Sequence, residues 1–218
     1  MNKEDIYKEK NNNYYGLIRH DLIQMIEGNG NKILDVGCGE GFTGSELKRT
    51  GKAKEVIGVE IFEPAALKAK ERLDKVIVGD IQVISLPYPD RYFDYIIFGD
   101  VLEHLSDPWG TLRKLKRYLS SSGFVIASIP NITYWEILKD MIFLDKWEYV
   151  DAGILDRTHL RFFTRKSLID LFQGSGLEIK ELIHHIPPRF INKIGNLMTL
   201  GGLKRFFTAG YFIKTRIK

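Results

Sequence analysis

Five short runs rich in valine and isoleucine alternate with helical stretches between residues 32 and 130, and this rhythm most constrains the fold. The runs are KILDVGC (32–38), EVIGVEI (55–61), KVIVGDI (75–81), FDYIIFGD (93–100) and GFVIASIP (123–130). Nearly continuous apolar runs of this length are typical of strands buried on both faces of a parallel sheet. The predicted helices between them are 42–50, 64–73 and 107–119. The alternation therefore predicts a doubly wound α/β fold.

The flanking segments complete the predicted architecture. In chain order they are a helix at 13–28, an irregular aromatic-rich insert at 131–163, a helix from the N-cap Thr164 to Gly174 or Gly176, a strand at 178–186, an amphipathic helix at 189–207 and a strand at 211–217. No repeat, low-complexity tract or proline-rich linker divides the chain. We therefore predict a single domain over residues 1–218, with the insert as a lid on the substrate side.

The composition, with 44% hydrophobic and 28% charged residues, is that of a globular protein. The polar N-terminus lacks the apolar core of a signal peptide, and no stretch approaches the run of about 18 apolar residues that a membrane helix needs. A cytoplasmic protein without an integral membrane segment is expected, and the single cysteine, Cys38, allows no disulfide framework. The net charge of +4 admits an anionic substrate, RNA or an acidic membrane surface.

The first strand runs into a glycine-rich turn, ILDVGCGEG (33–41), whose alternating glycines are Gly37, Gly39 and Gly41. A dinucleotide fingerprint has the spacing G-x-G-x-x-G and binds a doubly charged pyrophosphate. Here the place of its third glycine is taken by Phe42, and the carboxylates of Asp35 and Glu40 oppose added negative charge. The turn therefore disfavours a pyrophosphate.

A ligand with a cationic end suits the same turn, and S-adenosylmethionine has an ammonium, a sulfonium and an adenosine. Asp35 offers an anionic field for the ammonium. Glu60 closes the second strand, where its carboxylate can accept both ribose hydroxyls. Asp80 closes the third strand and can accept from the adenine amino group, with Ile81 against the ring. Three acids at the ends of successive strands therefore predict S-adenosylmethionine as the cofactor.

The segments ILDVGCGEG, VIGVE, VGD and FDYIIFGDVLEHL resemble successive motifs of the class I S-adenosylmethionine-dependent methyltransferases. The resemblance covers roughly residues 32–130. It implies a Rossmann-like sheet of seven strands with the last strand antiparallel. It assigns to the cofactor pocket Gly37, Gly39, Glu60, Asp80 and Ile81, and to its methionine end Gly99, Asp100 and Val101. The predicted cofactor set is completed by Asp35, Cys38, Ile61 and Tyr15.

The leading helix often folds over the cofactor in this superfamily. The resemblance therefore implies that Tyr15 covers the cofactor and that Arg19 meets its carboxylate. The alternative is that Tyr14 and Tyr15 belong to an aromatic stripe packed on the sheet.

The residues after the fourth strand restrict the acceptor. They read GDVLEH and lack the prolines of the enzymes that methylate exocyclic amino groups of bases, while Cys38 lies in the glycine turn and not at a site for carbon-5 methylation. GDVLEHLSDP instead resembles the small-molecule branch of the superfamily, which includes quinone and sugar O-methyltransferases. A hydroxyl acceptor needs a base, and the candidates are Asp100, His104 and His159.

The segment GDVLEH (99–104) also suggests a metal site, which is the less favoured interpretation. Asp100, Glu103 and His104 resemble the acid-x-x-Glu-His spacing that some quinone O-methyltransferases use for a divalent ion. Clusters of this kind more often cap a helix, so no metal ligand is predicted.

The segment GILDRTHLRFFT (153–164) places several chargeable side chains among apolar ones. Burying them without partners is costly, so either Asp156 and Arg157 form an internal ion pair or the segment faces a polar ligand. It resembles a segment of bacterial methyltransferases that accompany glycosyltransferases in surface-glycan biosynthesis. His159 is predicted to touch the substrate or act as the base.

The favoured function is S-adenosylmethionine-dependent O-methylation of a small polar acceptor, such as a sugar or glycan intermediate. The alternatives are methylation of RNA or protein, which the basic tail at 214–218 favours, and cofactor binding without catalysis. The sequence leaves the oligomeric state open.

Overall fold

The computed structural model describes residues 15–189, 192 and 201–218, and its centre is one seven-stranded sheet. The strands are β1 (Asn31–Val36), β2 (Ala53–Glu60), β3 (Lys75–Val78), β4 (Phe93–Gly99), β5 (Leu119–Pro130), β6 (Leu177–His185) and β7 (Gly210–Ile217). Their order is β3-β2-β1-β4-β5-β7-β6. The first five strands are parallel, and β7 pairs antiparallel with both β5 and β6. The predicted Rossmann-like sheet with an antiparallel last strand is confirmed.

Helices cover both faces of this sheet. They are α1 (His20–Gln24), α2 (Phe42–Arg49), α3 (Glu63–Ala69), α4 (Pro108–Leu115), α5 (Trp135–Leu144) and α6 (Arg165–Gly174), with 3₁₀ turns at Leu102–His104, Lys116–Tyr118 and Lys204–Phe206. The predicted cap of α6 is present, because Thr164 Oγ1 accepts from Ser167 N at 3.2 Å. Gly174 ends the helix, and Gly176 follows in the left-handed region with φ +79°.

Two apolar cores explain why the strands read as continuous apolar runs. Leu34, on β1, packs toward the core that includes α4 and α6, whereas its neighbour Ile33 packs toward α1, α2 and α3. Successive side chains of a strand point to opposite faces, so both faces of the central strands are buried. The chemistry of the domain is therefore confined to the ends of the strands.

Three predicted elements differ from the structure. Within the described part of the helix predicted at 13–28, only α1 is helical. The backbone before α1 bonds instead to the glycine turn and to α2: Glu40 N donates to Tyr15 O (3.0 Å) and Arg19 N donates to Thr43 Oγ1 (3.1 Å). The insert at 131–163 is not irregular throughout, because it contains α5, none of whose ten described residues is buried.

The helix predicted at 189–207 falls mostly outside the described residues. Its described end forms only the 3₁₀ turn at Lys204–Phe206. Within the described ranges, every helix is too short or too polar to span a membrane.

Candidate functional site

A cavity of about 190 Å³ lies at the carboxyl ends of β1 to β4, beside the point where the strand order reverses between β1 and β4. Open α/β sheets bind ligands at such a crevice. The cavity brings together every residue of the predicted cofactor set: Tyr15, Asp35, Gly37, Cys38, Gly39, Glu60, Ile61, Asp80, Ile81, Gly99, Asp100 and Val101. We call it the cofactor cavity. Their contact with the cofactor stays a prediction.

The glycine turn and the segment before α1 close on each other. Gly39 has φ +55°, and a Cβ atom there would lie 2.7 Å from the carbonyl oxygen of Tyr15. Only glycine tolerates both the conformation and the approach. The Tyr15 ring stacks on Phe62 with centroids 5.1 Å apart, next to the end of β2. The leading segment therefore covers one side of the cofactor cavity.

The carboxylate of Glu60 is buried at the end of β2. Its two oxygens accept hydrogen bonds from Gly39 N and Phe62 N, each at 2.9 Å. Burial raises its pKa, and these bonds oppose the rise. Because each carboxylate oxygen has two lone pairs, Glu60 keeps the capacity to accept ribose hydroxyls while it holds the glycine turn.

Asp80 lies two residues beyond β3, which ends at Val78, and so does not close the strand as predicted. Its Oδ1 accepts from Gln82 N at 3.0 Å. Ile81 beside it is buried against the core. Asp80 and Ile81 still meet Glu60 on the wall of the same cavity.

Asp35 is the least compensated group of the cofactor cavity. It lies within β1, is 4% exposed, and its Oδ2 has no hydrogen-bond partner among the described residues. Burial, and then the charge of Glu60, raise its pKa to about 7. A buried carboxylate without a partner is costly, and the ammonium of S-adenosylmethionine would compensate it. The residues present therefore fit the predicted cofactor.

Asp100 is held in an ion pair on the boundary of the cavity. Arg19 Nη1 donates to Asp100 Oδ2, Arg19 Nη2 donates to Ser128 Oγ (2.8 Å), and Ser128 Oγ donates to Asp100 Oδ1 (2.7 Å). Asp100 has φ +55°, a strained conformation that often marks a functional site. Because both oxygens accept strong bonds, Asp100 is a weaker candidate base than the sequence suggested. Ser128 is a residue that sequence reasoning missed, although a single hydroxyl near the end of an apolar strand was a usable signal.

A second cavity of about 260 Å³ adjoins the first and shares Arg19, Asp100 and His104 with it. We call it the acceptor cavity. Glu103 and Tyr211 line it, and both carboxylate oxygens of Glu103 and the hydroxyl of Tyr211 are buried without a hydrogen-bond partner in the described part of the chain. Buried polar atoms are nearly always satisfied in folded proteins. Together with Asp35 Oδ2, these unsatisfied atoms all face one of the two cavities.

The segment predicted to face a ligand forms one wall of the acceptor cavity. His104 Nδ1 lies 3.1 Å from Thr158 O, and Thr158 Oγ1 donates to Asp156 Oδ1 (2.7 Å). The rings of His104 and His159 meet edge-on, with centroids 4.7 Å apart. Arg157, for which the sequence offered Asp156 as a partner, forms an ion pair with Asp151 at 2.7 Å.

Comparison with known proteins agrees with this geometry. The model of a family described as a methyltransferase domain matches residues 7–182. A probable S-adenosylmethionine-dependent methyltransferase of Mycobacterium tuberculosis is 35% identical over 99 residues, which cover 45% of this chain and 35% of the relative. A 27-O-demethylrifamycin SV methyltransferase of Amycolatopsis mediterranei is 31% identical over 100 residues, 43% of this chain and 36% of the relative.

A demethylmenaquinone methyltransferase of Staphylococcus saprophyticus is 35% identical over 105 residues, 45% of this chain and 44% of the relative. These three alignments span less than half of each relative. A crystal structure from Thermotoga maritima, described as an S-adenosylmethionine-dependent methyltransferase and possible histamine N-methyltransferase, aligns with a TM-score of 0.68 and 20% identity over 100% of both chains. At that identity the likeness establishes the fold.

Proposed function

We propose that this chain, which belongs to the methyltransferase-domain family, uses S-adenosylmethionine to methylate a hydroxyl oxygen of a small polar acceptor, such as a sugar or glycan intermediate. The observation that carries the proposal is the acceptor cavity, where Glu103 and Tyr211 present unsatisfied polar atoms. An apolar acceptor would leave these atoms unpaired at about 1–3 kcal/mol each. An acceptor rich in hydroxyls would satisfy them.

The cofactor is held, in this proposal, by acids at its two polar ends. Asp35 pairs with the ammonium, and Glu60 accepts the ribose hydroxyls. When bound, S-adenosylmethionine supplies a methyl carbon whose bond to sulfur breaks, with the electron pair passing to sulfur, as the bond to the acceptor oxygen forms. The two cavities share Arg19, Asp100 and His104. In this proposal these residues lie between cofactor and acceptor and fix the direction from which the acceptor oxygen approaches the methyl group. Such alignment supplies a large part of the rate of a displacement reaction.

The acceptor hydroxyl must also lose its proton. His104 and His159 lie on the acceptor cavity beside Glu103 and are the groups proposed to promote that loss. The insert at 131–163 supplies much of this wall, which supports its proposed role on the substrate side. Two relatives are named for small molecules, a rifamycin and a menaquinone. The unsatisfied polar atoms of Glu103 and Tyr211 on this cavity favour a hydroxyl-bearing acceptor over an apolar one.

The proposal is tested by incubating purified protein with methyl-labelled cofactor and three acceptor pools: nucleotide sugars with free saccharides, quinols, and RNA. We expect label in the saccharide pool, with a rate that changes little with salt. Label only in RNA, with a rate that falls steeply as ionic strength rises, would support the nucleic-acid alternative instead. Label found only in quinols would contradict the proposal. So would a result in which none of the three pools, and no component of a cell extract added as a fourth pool, becomes labelled.

A variant localises the activity to the acceptor cavity. We expect His159→Ala to lower turnover and leave cofactor affinity intact, because His159 lies on the acceptor cavity and not on the cofactor cavity. His20→Ala, at an exposed position of α1, is the matched control. Wild-type turnover in His159→Ala would remove His159 from the mechanism.

A further inference from the structure

The carboxyl group of Glu103 is buried beside the acceptor cavity. Its side chain is 0% exposed, and neither oxygen has a hydrogen-bond partner within the described ranges. His159 Nε2 lies 3.9 Å from Glu103 Oε1, which is too long for a hydrogen bond. Buried carboxylates of this kind are normally paired or bound to a metal.

Two histidines beside Glu103 are oriented by backbone carbonyls. His159 Nδ1 lies 3.0 Å from Ile154 O, and His104 Nδ1 lies 3.1 Å from Thr158 O. A carbonyl oxygen only accepts, and Thr158 Oγ1, which lies 3.0 Å from His104 Nδ1, gives its hydrogen to Asp156 Oδ1. Each Nδ1 is therefore assigned the hydrogen, and a neutral ring then has its lone pair on Nε2. Histidines that ligate metals usually donate their other nitrogen in this way.

We propose that Glu103, His104 and His159 bind one divalent transition-metal ion at the wall of the acceptor cavity. One carboxylate oxygen and one ring nitrogen from each histidine lie within 4.8 Å of one another. Two histidines and one carboxylate, with remaining positions open to substrate, are the ligand set of many catalytic zinc and iron(II) sites. The proposed ligands differ from the sequence pattern of Asp100, Glu103 and His104. Asp100 already accepts hydrogen bonds from Arg19 and Ser128, and His159 is the third ligand instead.

The ion gives the proposed acceptor a specific chemistry, and this role rests on the proposed function. A divalent ion lowers the pKa of a bound hydroxyl as it does that of bound water. The coordinated hydroxyl then releases its proton to water, and its oxygen keeps the electron pair that forms the bond to the methyl carbon. A six-coordinate ion held by these three ligands would have positions open for two neighbouring hydroxyls. The acceptor class that fits is therefore a vicinal diol, as in a sugar.

Metal binding can be measured without acceptor or cofactor. The untagged full chain, freed of metal by chelator and dialysis, is titrated with Co²⁺, whose visible spectrum reports coordination, and with Zn²⁺ in competition. We expect one ion per chain. Glu103→Gln and His159→Gln should each weaken binding by more than about 100-fold, the upper end of what loss of an outer-shell partner costs. His185→Gln, a histidine on the same cavity, should still bind one ion.

Cofactor affinity, measured for each variant, shows that a variant has folded. The site is refuted if the wild type takes up no ion saturably, or if both ligand variants bind it as the wild type does. A wild type that binds the ion but methylates no hydroxyl acceptor retains the site and loses the proposed function. A wild type that binds the ion but methylates saccharides at full rate in chelator would refute the role of the ion in the loss of the proton, while the site and the proposed function would stand.

Discussion

Replacing Asp35 with asparagine should separate the stability cost of this carboxylate from its value in binding. The pKa of Asp35 rises from 3.8 to about 7 in the folded protein. Between those values the unfolded chain loses a proton that the folded protein keeps, so the free energy of unfolding falls as pH rises from about 4 to 7. At about 1.4 kcal/mol per pKa unit, the cost reaches about 4 kcal/mol above pH 7.

The cofactor-free Asp35→Asn protein should lose this pH dependence, because an amide stays neutral. At pH 8 we expect it to be more stable than the wild type by about 1–4 kcal/mol, the lower values allowing for an imperfectly bonded amide. Urea unfolding at pH 5 and pH 8 measures both effects. Asp170→Asn, at an exposed position of α6, is the matched control and should change stability by less than about 0.5 kcal/mol.

Binding should move in the opposite direction. Loss of a hydrogen bond between the ammonium and a charged carboxylate costs about 1.5–3 kcal/mol, so calorimetry at pH 8 should show S-adenosylmethionine bound about 10–150-fold more weakly. The wild type should itself bind more weakly as pH falls below about 7, since a protonated Asp35 offers no charge. An unchanged dissociation constant for Asp35→Asn, or a variant that keeps the wild-type pH slope of stability, would refute the reasoning.

Three further substitutions probe the same two cavities. Glu60→Ala should weaken cofactor binding by about 1.5–3 kcal/mol in calorimetry, and an unchanged affinity would count against its role at the ribose. Tyr211→Phe should raise the free energy of unfolding by about 1–2 kcal/mol, because the Tyr211 hydroxyl is buried without a partner among the described residues. The same variant should raise KM for the acceptor. A variant that unfolds more easily than the wild type would show that the hydroxyl is already hydrogen-bonded. Gly39→Ala should lower stability by about 1–3 kcal/mol and displace the Tyr15 segment from the cofactor cavity. Gly51 also has a positive φ, but an added Cβ there would meet no atom within 4 Å, so Gly51→Ala measures the backbone cost alone. An equal loss of stability in both variants would refute the steric argument.

The strands and the cofactor end of the site could be predicted because their signals are local. A strand buried on both faces must be apolar along most of its length, so a polar group stands out near its end, as Asp35 does one residue before the end of β1. Parallel strands bring their carboxyl ends to one edge of the sheet. Three acids at or near the ends of separate strands could therefore be expected to line one cavity, and Asp35, Glu60 and Asp80 do so.

The acceptor end required the folded chain, because its contacts join segments that no local pattern connects. Arg19 reaches Asp100 only because the segment before α1 lies across the glycine turn. Glu103 and His159 meet because Leu160 N and Arg161 N both donate to Glu103 O at 2.9 Å, which fixes the segment after β5 beneath the 3₁₀ turn.

Tyr211 gave no signal at all, since a tyrosine in an apolar strand is ordinary until its hydroxyl is seen to be buried alone. The composition of a strand indicates which of its faces are buried, but it does not indicate which residues from distant parts of the chain will contact it. That choice is made by packing, when antiparallel β7 enters the sheet beside β5 and brings its first residues to the acceptor cavity.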